Sequence, residues 1–281
     1  MNIIDCHTHT QFSVDSDADI IQMIEKAVSL GLSAYAVTDH CECNRWYDEE
    51  YYKGEEGYKF YNFGKDFENS VSAVTELKKK YPDFNLICGV ELGQATQDIE
   101  IAEKVAGDKR LDFIIGSVHQ LPKKDDFCFL DYQKYSSDEI RNLIENYFLE
   151  INKICNWGKF DVLGHLTYNL RYMHSALRYD PDISPFDDII EDSFRKLILK
   201  GKGIEINTSG LRQSYGQTFP NLKYVKLFRQ LGGEIISIGS DSHTVKDLGS
   251  GIKEGIKLAY DAGFRNICYF KQRSPVFIEI N

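Results

Sequence analysis

Apolar positions along the chain switch period repeatedly, from two to 3.6 residues and back. Residues 2–6 read as a strand. Over 18–31, Ile20, Ile21, Ile24, Ala27, Val28 and Leu30 recur at helical spacing, and Gly31 stops the pattern. Residues 33–38 form a second strand, S-A-Y-A-V-T, and an aromatic insert rich in tyrosine spans 41–64. Helix resumes at 65–80, ahead of Pro82. The alternation continues with strand 84–90, helix 97–106, strand 112–117, helix 136–156, strand 160–164, helix 185–200, strand 203–207, helix 220–231 and strand 234–239. Residues 120–135 and 166–183 read as loops, and a helix at 250–262, a strand at 266–270 and an extended run at 275–280 follow.

Strands separated by helices pair in parallel through right-handed crossovers. About seven strand–helix units over this length predict an α/β fold whose sheet closes into a (β/α) barrel, in one domain over 1–281. No Gly-rich strand-to-helix turn marks a dinucleotide or P-loop site, which counts against a doubly wound nucleotide-binding sheet.

Of the 281 residues, 42% are apolar and 27% charged, enough to bury a large core without disorder. The net charge of −10 argues against a nucleic-acid surface. It still allows a small phosphorylated substrate, because bound divalent cations would reverse the local sign. No run reaches the roughly 18–20 apolar residues of a membrane span. The first apolar run, Ile3-Ile4, lacks a basic flank and a cleavage site, so a cytoplasmic protein is expected. Seven cysteines without a spacing pattern read as reduced thiols, and Cys41-x-Cys43 has no second pair to complete a tetrahedral site.

The chemistry lies at strand ends. Asp5-Cys6-His7-Thr8-His9 puts two imidazoles on one side of an extended chain. His40, Glu91, His119, His165, and Asp241 with His243 likewise fall at or just past the C-terminal ends of strands, the face that carries the active site of such barrels. Six of the seven histidines belong to this set; His174 breaks the rule and is read as a non-ligand. Nitrogen and oxygen donors without a required thiolate suit zinc, manganese or iron. Eight side chains are too many for one ion, and with Asp15 or Asp17 from the loop after His9 there are enough for two or three. Multinuclear sites clamp phosphoryl oxygens and generate a hydroxide nucleophile that attacks phosphorus in line. Arginine suits bidentate phosphate recognition. Arg171 and Arg178 in the loop after His165, and Arg212 after strand 203–207, are therefore candidates, with Arg171 and Arg212 preferred. Asn207 and Ser209 stand where they could reach substrate.

Six separated motifs carry a resemblance: D-x-H-x-H at 5–9, T-D-H at 38–40, G-V-E at 89–91, G-S-V-H at 116–119, G-H at 164–165 and S-D-S-H at 240–243. In order and spacing they resemble the polymerase-and-histidinol-phosphatase (PHP) superfamily, and E-I-N-T-S-G-L-R, from Glu205 to Arg212, is similar to its histidinol-phosphate phosphatase branch. The resemblance implies a distorted (β/α)7 barrel with three divalent metal ions. His7, His9, Glu91 and Asp241 would hold the first, Glu91 would bridge to a second held by His119 and His165, and Asp15, His40 and His243 would hold a third. Asp5 and Asp39 would orient ligands rather than bind metal. The implied activity is metal-dependent hydrolysis of L-histidinol phosphate in histidine biosynthesis. Glu91 would bridge the ions, and Asp241, His243 or a water on the third ion would protonate the leaving alkoxide. The aromatic insert 41–64 serves either as a wall of the site or as packing over the barrel. Three alternatives stand beside this reading. One is a PHP phosphoesterase for a nucleotide, oligonucleotide or phosphotyrosine. The second is a non-catalytic metal-binding barrel, disfavoured because every motif position is filled. The third is a metal-dependent amidohydrolase, which would lack G-S-V-H.

Overall fold

The computed structural model describes residues 3–44 and 65–280. Its strands are β1 (Ile4–Asp5), β2 (Ala34–Val37), β3 (His40–Glu42), β4 (Leu86–Gly93), β5 (Phe113–Ser117), β6 (Val162–Leu163), β7 (Gly203–Asn207), β8 (Ile236–Gly239), β9 (Asn266–Lys271) and β10 (Ser274–Glu279). The helices between them are α1 (Ile20–Ser29), α2 (Lys65–Lys80), α3 (Ile99–Ala106), α4 (Ser137–Trp157), α5 (Leu170–Leu177), α6 (Asp187–Leu199), α7 (Leu222–Gln230) and α8 (Ile252–Asp261). Strands pair in parallel in the order β1-β2-β4-β5-β6-β7-β8, with β3 a short extra rung on β4. This is the expected barrel of seven parallel strands.

The barrel is nearly closed, and the closing contacts belong to the residues just after β1. Cys6 N–H donates to Ile238 O at 2.9 Å, Asp241 N–H to His7 O at 2.8 Å and His9 N–H to Ser242 O at 2.9 Å. The main chain that carries the H-x-H pair is therefore the seam of the barrel. All eight residues of β4 are buried, as expected of a parallel strand covered on both faces. The outer helices turn one stripe inward. In α1, Ile20, Met23, Ile24 and Ala27 are buried, while Ile21 and Val28, counted in the apolar pattern, lie at the surface. Its start is fixed by Asp19, whose carboxylate accepts from the N–H groups of Ile21 and Gln22.

Three local expectations are corrected. Strand 33–38 is followed after one residue by β3, so His40 sits in a strand, and Glu91 lies inside β4 rather than after it. The stretch 166–183 contains α5, which buries Leu170, Arg171 and Met173 and ends at Arg178 in a left-handed conformation, φ 65°. Residues 266–270 and 275–280 form one antiparallel hairpin rather than separate extended runs. Its turn residues, Gln272 and Arg273, also have positive φ, 47° and 64°. Arg273 Nε donates to Asp161 Oδ2 at 2.6 Å, its Nη1 to Ala106 O and its Nη2 to Lys159 O, while its own N–H reaches Asp112 O at 2.8 Å. Asp112 and Asp161 precede β5 and β6, so the hairpin turn plugs the barrel at the end opposite the histidines. Residues 45–64 of the aromatic insert lie outside the described residues. Among the described helices none is long and apolar enough to cross a membrane.

Candidate metal centre

The C-terminal ends of different strands carry the site's rings and carboxylates to one rim of the barrel. The pair after β1 is fixed by hydrogen bonds on one ring edge. His7 Nδ1 donates to Glu205 Oε1 at 2.7 Å. His9 Nδ1 donates to Ser13 Oγ at 2.9 Å, and that hydroxyl donates to Asp39 Oδ1 at 2.7 Å. With the ring protons on Nδ1, both Nε2 atoms present lone pairs, and these face each other across 3.1 Å. Such a pair is repulsive unless a cation is shared between them. Glu91 Oε2 lies 3.3 and 3.5 Å from the two Nε2 atoms, and Asp241 Oδ1 3.8 and 3.5 Å. Two nitrogens and two carboxylate oxygens thus converge, a donor set that suits a divalent ion.

Glu91 reaches a second cluster with its other oxygen. Oε1 is 3.0 Å from His119 Nε2 and 2.7 Å from His165 Nε2, and those nitrogens are 3.3 Å apart. His119 Nδ1 donates to Glu42 Oε1 at 3.0 Å, which again leaves Nε2 as the free donor atom. A third cluster lies toward the surface. His9 stacks between His40 and His243, at ring separations of 4.2 and 4.1 Å, and Asp15 approaches His243 Nε2 at 3.1 Å and His40 Nε2 at 3.7 Å. His40 Nδ1 is 2.9 Å from Glu91 Oε2. Yet His40 Nδ1, His165 Nδ1 and His243 Nε2 are buried without a hydrogen-bond partner. For His40 Nδ1 and His243 Nε2, close approach to a carboxylate without hydrogen-bond geometry is what cation ligands show. Among the described residues, four triads have ligand atoms within 4.8 Å of one another: His7/His9/Glu91, Glu91/His119/His165, His9/His40/His243 and His40/Glu42/His119. The site fits divalent metal.

The field agrees. Burial pushes His7 down, but Glu205, Glu91 and Asp241 overrule it and hold the ring well above the usual histidine range, so positive charge is favoured there. Burial, reinforced by His243 and His40, pushes His9 down to about 3, which keeps its imidazole neutral. Burial opposes charge on His119 too, but Glu91 and Glu42 raise it to about 10. Burial would raise Glu42, Glu91 and Asp241, yet the neighbouring histidines bring Glu42 to about 2 and hold the other two well below the carboxylate range.

Asp241 is held in a left-handed conformation, φ 52°, a strained backbone for a non-glycine residue. Its Oδ2 lies near Asn207 Nδ2 at 3.1 Å, Ser209 Oγ at 3.1 Å and Arg171 Nη2 at 3.4 Å, which leaves Oδ1 to the imidazoles. Arg171 is buried with its guanidinium over the rings of Phe219 and Tyr168, its Nε has no partner, and it lines the cleft beside the histidines. Arg212 does not line that cleft. Its Nη1 and Nη2 donate to the carbonyls of Ser240 and Asp241, at 2.8 and 3.2 Å. Asn207 and Ser209 likewise address Asp241 and each other, not the cleft. Asp15 joins the histidines, whereas Asp17 is exposed and away from the cleft.

Asp5 orients no ring; it accepts from Ser240 N–H, Ser240 Oγ and Gly249 N–H, tying β1 to the segment after β8. Asp39 does act on a ligand, through Ser13. His174 pairs with Asp180 outside the cleft. The cysteines are free thiols. Sequence reasoning missed Glu42, Glu205 and Gln94. Glu42 stands two residues after His40 on the same strand, the same period-two signal as the H-x-H pair. Glu205 is a lone charge inside the apolar strand G-I-E-I-N. Gln94, also at positive φ, 52°, donates from Nε2 to Glu42 and accepts from His119 N–H, a backbone role no pattern announces.

The sequence matches the family described as PHP domain over residues 5–209. A relative named "Probable histidinol-phosphatase" from Clostridium acetobutylicum is 28% identical over 278 residues, covering 96% of this chain and 98% of the relative. One of the same name from Thermotoga maritima is 27% identical, covering 90% and 89%. The fold is shared with the crystal structure of histidinol phosphate phosphatase from Lactococcus lactis, complexed with zinc, L-histidinol and phosphate, at TM-score 0.77 and 23% identity, covering 98% of this chain and 99% of that one.

Proposed function

The chain belongs to the PHP domain family, and we propose that its own reaction is hydrolysis of L-histidinol phosphate to L-histidinol and phosphate. The observation that carries a metal-dependent phosphoesterase is the pair of facing nitrogens, 3.1 Å apart at His7/His9 and 3.3 Å at His119/His165, arranged about the single carboxylate of Glu91. The substrate assignment is supported by nearly full-length relatives named histidinol-phosphatase, and by an acidic cleft suited to a cationic organic group.

In this reading His7, His9, Glu91 and Asp241 hold one ion, Glu91, His119 and His165 a second, and Asp15, His40 and His243 a third. When bound, such ions supply Lewis acidity toward phosphoryl oxygens and a water nucleophile at neutral pH. Glu205 and Ser13 fix the tautomers of His7 and His9, and Glu42 fixes that of His119, so each Nε2 faces the centre. Arg171 offers its guanidinium to a non-bridging phosphoryl oxygen from a desolvated, ring-stacked position, where a charge-assisted bond is strong. Water adds to phosphorus as the ester P–O bond breaks; Asp241, held ionised, has no proton to give, so His243 on the cleft wall protonates the leaving alkoxide and regains its proton from the added water. The test is a steady-state assay of the metal-loaded protein against a phosphate-ester panel. The expected result is a clear preference in kcat/KM for L-histidinol phosphate; equal turnover of generic esters overturns the substrate assignment.

A further inference from the structure

Five carboxylates line the cleft, and four of them, Asp15, Glu42, Glu91 and Asp241, sit beside histidines. Asp126 does not. Among the described residues it pairs with no histidine, lysine or arginine. It comes from the stretch after His119 and starts a single 3-10 turn, Phe127–Phe129. Its Oδ1 accepts from Cys128 N–H at 2.8 Å and from the Tyr168 hydroxyl at 2.9 Å. Its second oxygen is left to the cleft and the neighbouring Cys128 thiol.

Tyr168 sets the distance from this carboxylate to the metal cluster. Its ring packs 4.8 Å from the ring of His119 and 5.0 Å from that of His165, the Arg171 guanidinium lies 4.9 Å over it, and its hydroxyl ends on Asp126. One tyrosine side chain therefore reaches from the phosphate end of the cleft to an acid that forms no ion pair among the described residues. Tyr172 extends the aromatic wall, its hydroxyl donating to that of Tyr168 at 3.1 Å. Two neutral hydrogen bonds to one oxygen of a half-buried carboxylate leave its charge unbalanced, and a ligand cation arriving beside it balances that charge while gaining the adjacent aromatic faces.

We propose that Asp126 seats a protonated nitrogen on the organic part of the substrate, so that the cleft selects phosphomonoesters of amino alcohols over neutral esters. The inference rests on reading the cleft as a phosphomonoesterase site, and it names the residue that reads the alcohol rather than the phosphate. Asp126 is a specificity determinant here: it holds the leaving group's cation and takes no part in the transfer to water.

The test uses phosphonates, whose C–P bond is not cleaved. The metal-loaded protein is titrated calorimetrically with aminoalkylphosphonates of two and three carbons and with the matching uncharged alkylphosphonates. The parent is expected to bind the better amine-bearing member ~10- to 100-fold more tightly, as for a desolvated charged hydrogen bond. In Asp126→Asn, which keeps an acceptor for Tyr168 and Cys128, that ratio should fall to within about threefold of one. Asp126→Ser, a smaller uncharged side chain, should do the same and serves if the first variant does not fold. A parent ratio near one overturns the proposal, and so does a ratio that survives in the variants. Neither result bears on the ester panel: a protein that prefers amine-bearing phosphonates yet shows no preference for L-histidinol phosphate loses only its substrate assignment.

Discussion

Replacing Glu205 by glutamine puts a number on how firmly the barrel holds its first ligand. The two oxygens of Glu205 serve three donors: Oε1 takes His7 Nδ1–H at 2.7 Å, and Oε2 takes His165 N–H at 3.0 Å and Asn207 Nδ2 at 3.4 Å. Glutamine offers one accepting oxygen and an NH2. If the oxygen stays with His7, the NH2 faces the buried His165 N–H, and an unmet donor costs ~1–3 kcal/mol. If it stays with His165, the NH2 faces His7 Nδ1 and drives the ring proton to Nε2, the atom assigned to the ion. Loss of such a supporting carboxylate lowers metal affinity ~10- to 100-fold, or ~1.4–2.7 kcal/mol. Competition against a chromophoric chelator measures the affinity, and thermal denaturation of the metal-free protein measures the structural part. The expected pattern is weakened metal binding, with activity largely recovered at saturating metal. Metal affinity and metal-free stability both unchanged from the parent would refute the claim that Glu205 holds His7 and the His165 N–H together.

Removing the metal by chelation should abolish activity and lower the melting temperature, with both restored on adding divalent ion, because a ligand at 1,000 times its Kd stabilises by about 4 kcal/mol. A melting temperature indifferent to chelation would contradict the ligand set. Arg273→Ala takes the guanidinium from the buried Asp161, which keeps Lys202 at 3.7 Å and the Ile114 N–H, and should destabilise by about 1–3 kcal/mol in chemical denaturation, while kcat at permissive temperature stays near the parent's because the plug is at the far end of the barrel. A matching fall in kcat would show that the two ends are coupled. Burial first, and then Asp126, push the Cys128 thiol up, so its thiolate fraction at neutral pH is smaller than that of a free cysteine. Its alkylation by iodoacetamide should be slow at pH 7 and still rising at pH 9, and a plateau below pH 8.5 would contradict that environment.

The alternation of helix and strand was legible because each period runs long enough to be counted, and a seven-strand parallel barrel follows from it. The site was legible for the same reason: strand ends are where a barrel exposes its chemistry, so His7, His9, His40, Glu91, His119, His165, Asp241 and His243 could be gathered without a structure. What stayed hidden depends on direction rather than type. Arg171 and Arg212 look alike in sequence, but one lies buried on α5 against Tyr168 and Phe219, and the other is engaged by the carbonyls of Ser240 and Asp241. The helix α5 has an inward stripe, Leu170 and Met173 with Ala176 and Leu177, but at eight residues with Arg171, Tyr172, His174 and Ser175 between them it is too short and too polar to stand out from a loop. Glu42 escaped because its period-two spacing from His40 counts only once a strand is known there, and β3 is three residues long and opens the aromatic insert.

The seam of the barrel sets the order in which the site can come into being. Asp5 and Ser240, hydrogen-bonded across it, are 235 residues apart, so β1 leaves a ribosome long before the segment it closes on. Contacts of such separation form late, after nearer pairings have shortened the loop between them. His7 and His9 therefore wait without Asp241 until that later segment has been made, holding only part of the donor set proposed for their ion. Metal capture at full strength and completion of the barrel become one event, and a chain cut short before residue 241 would carry the first-made histidines but could not hold that ion in full.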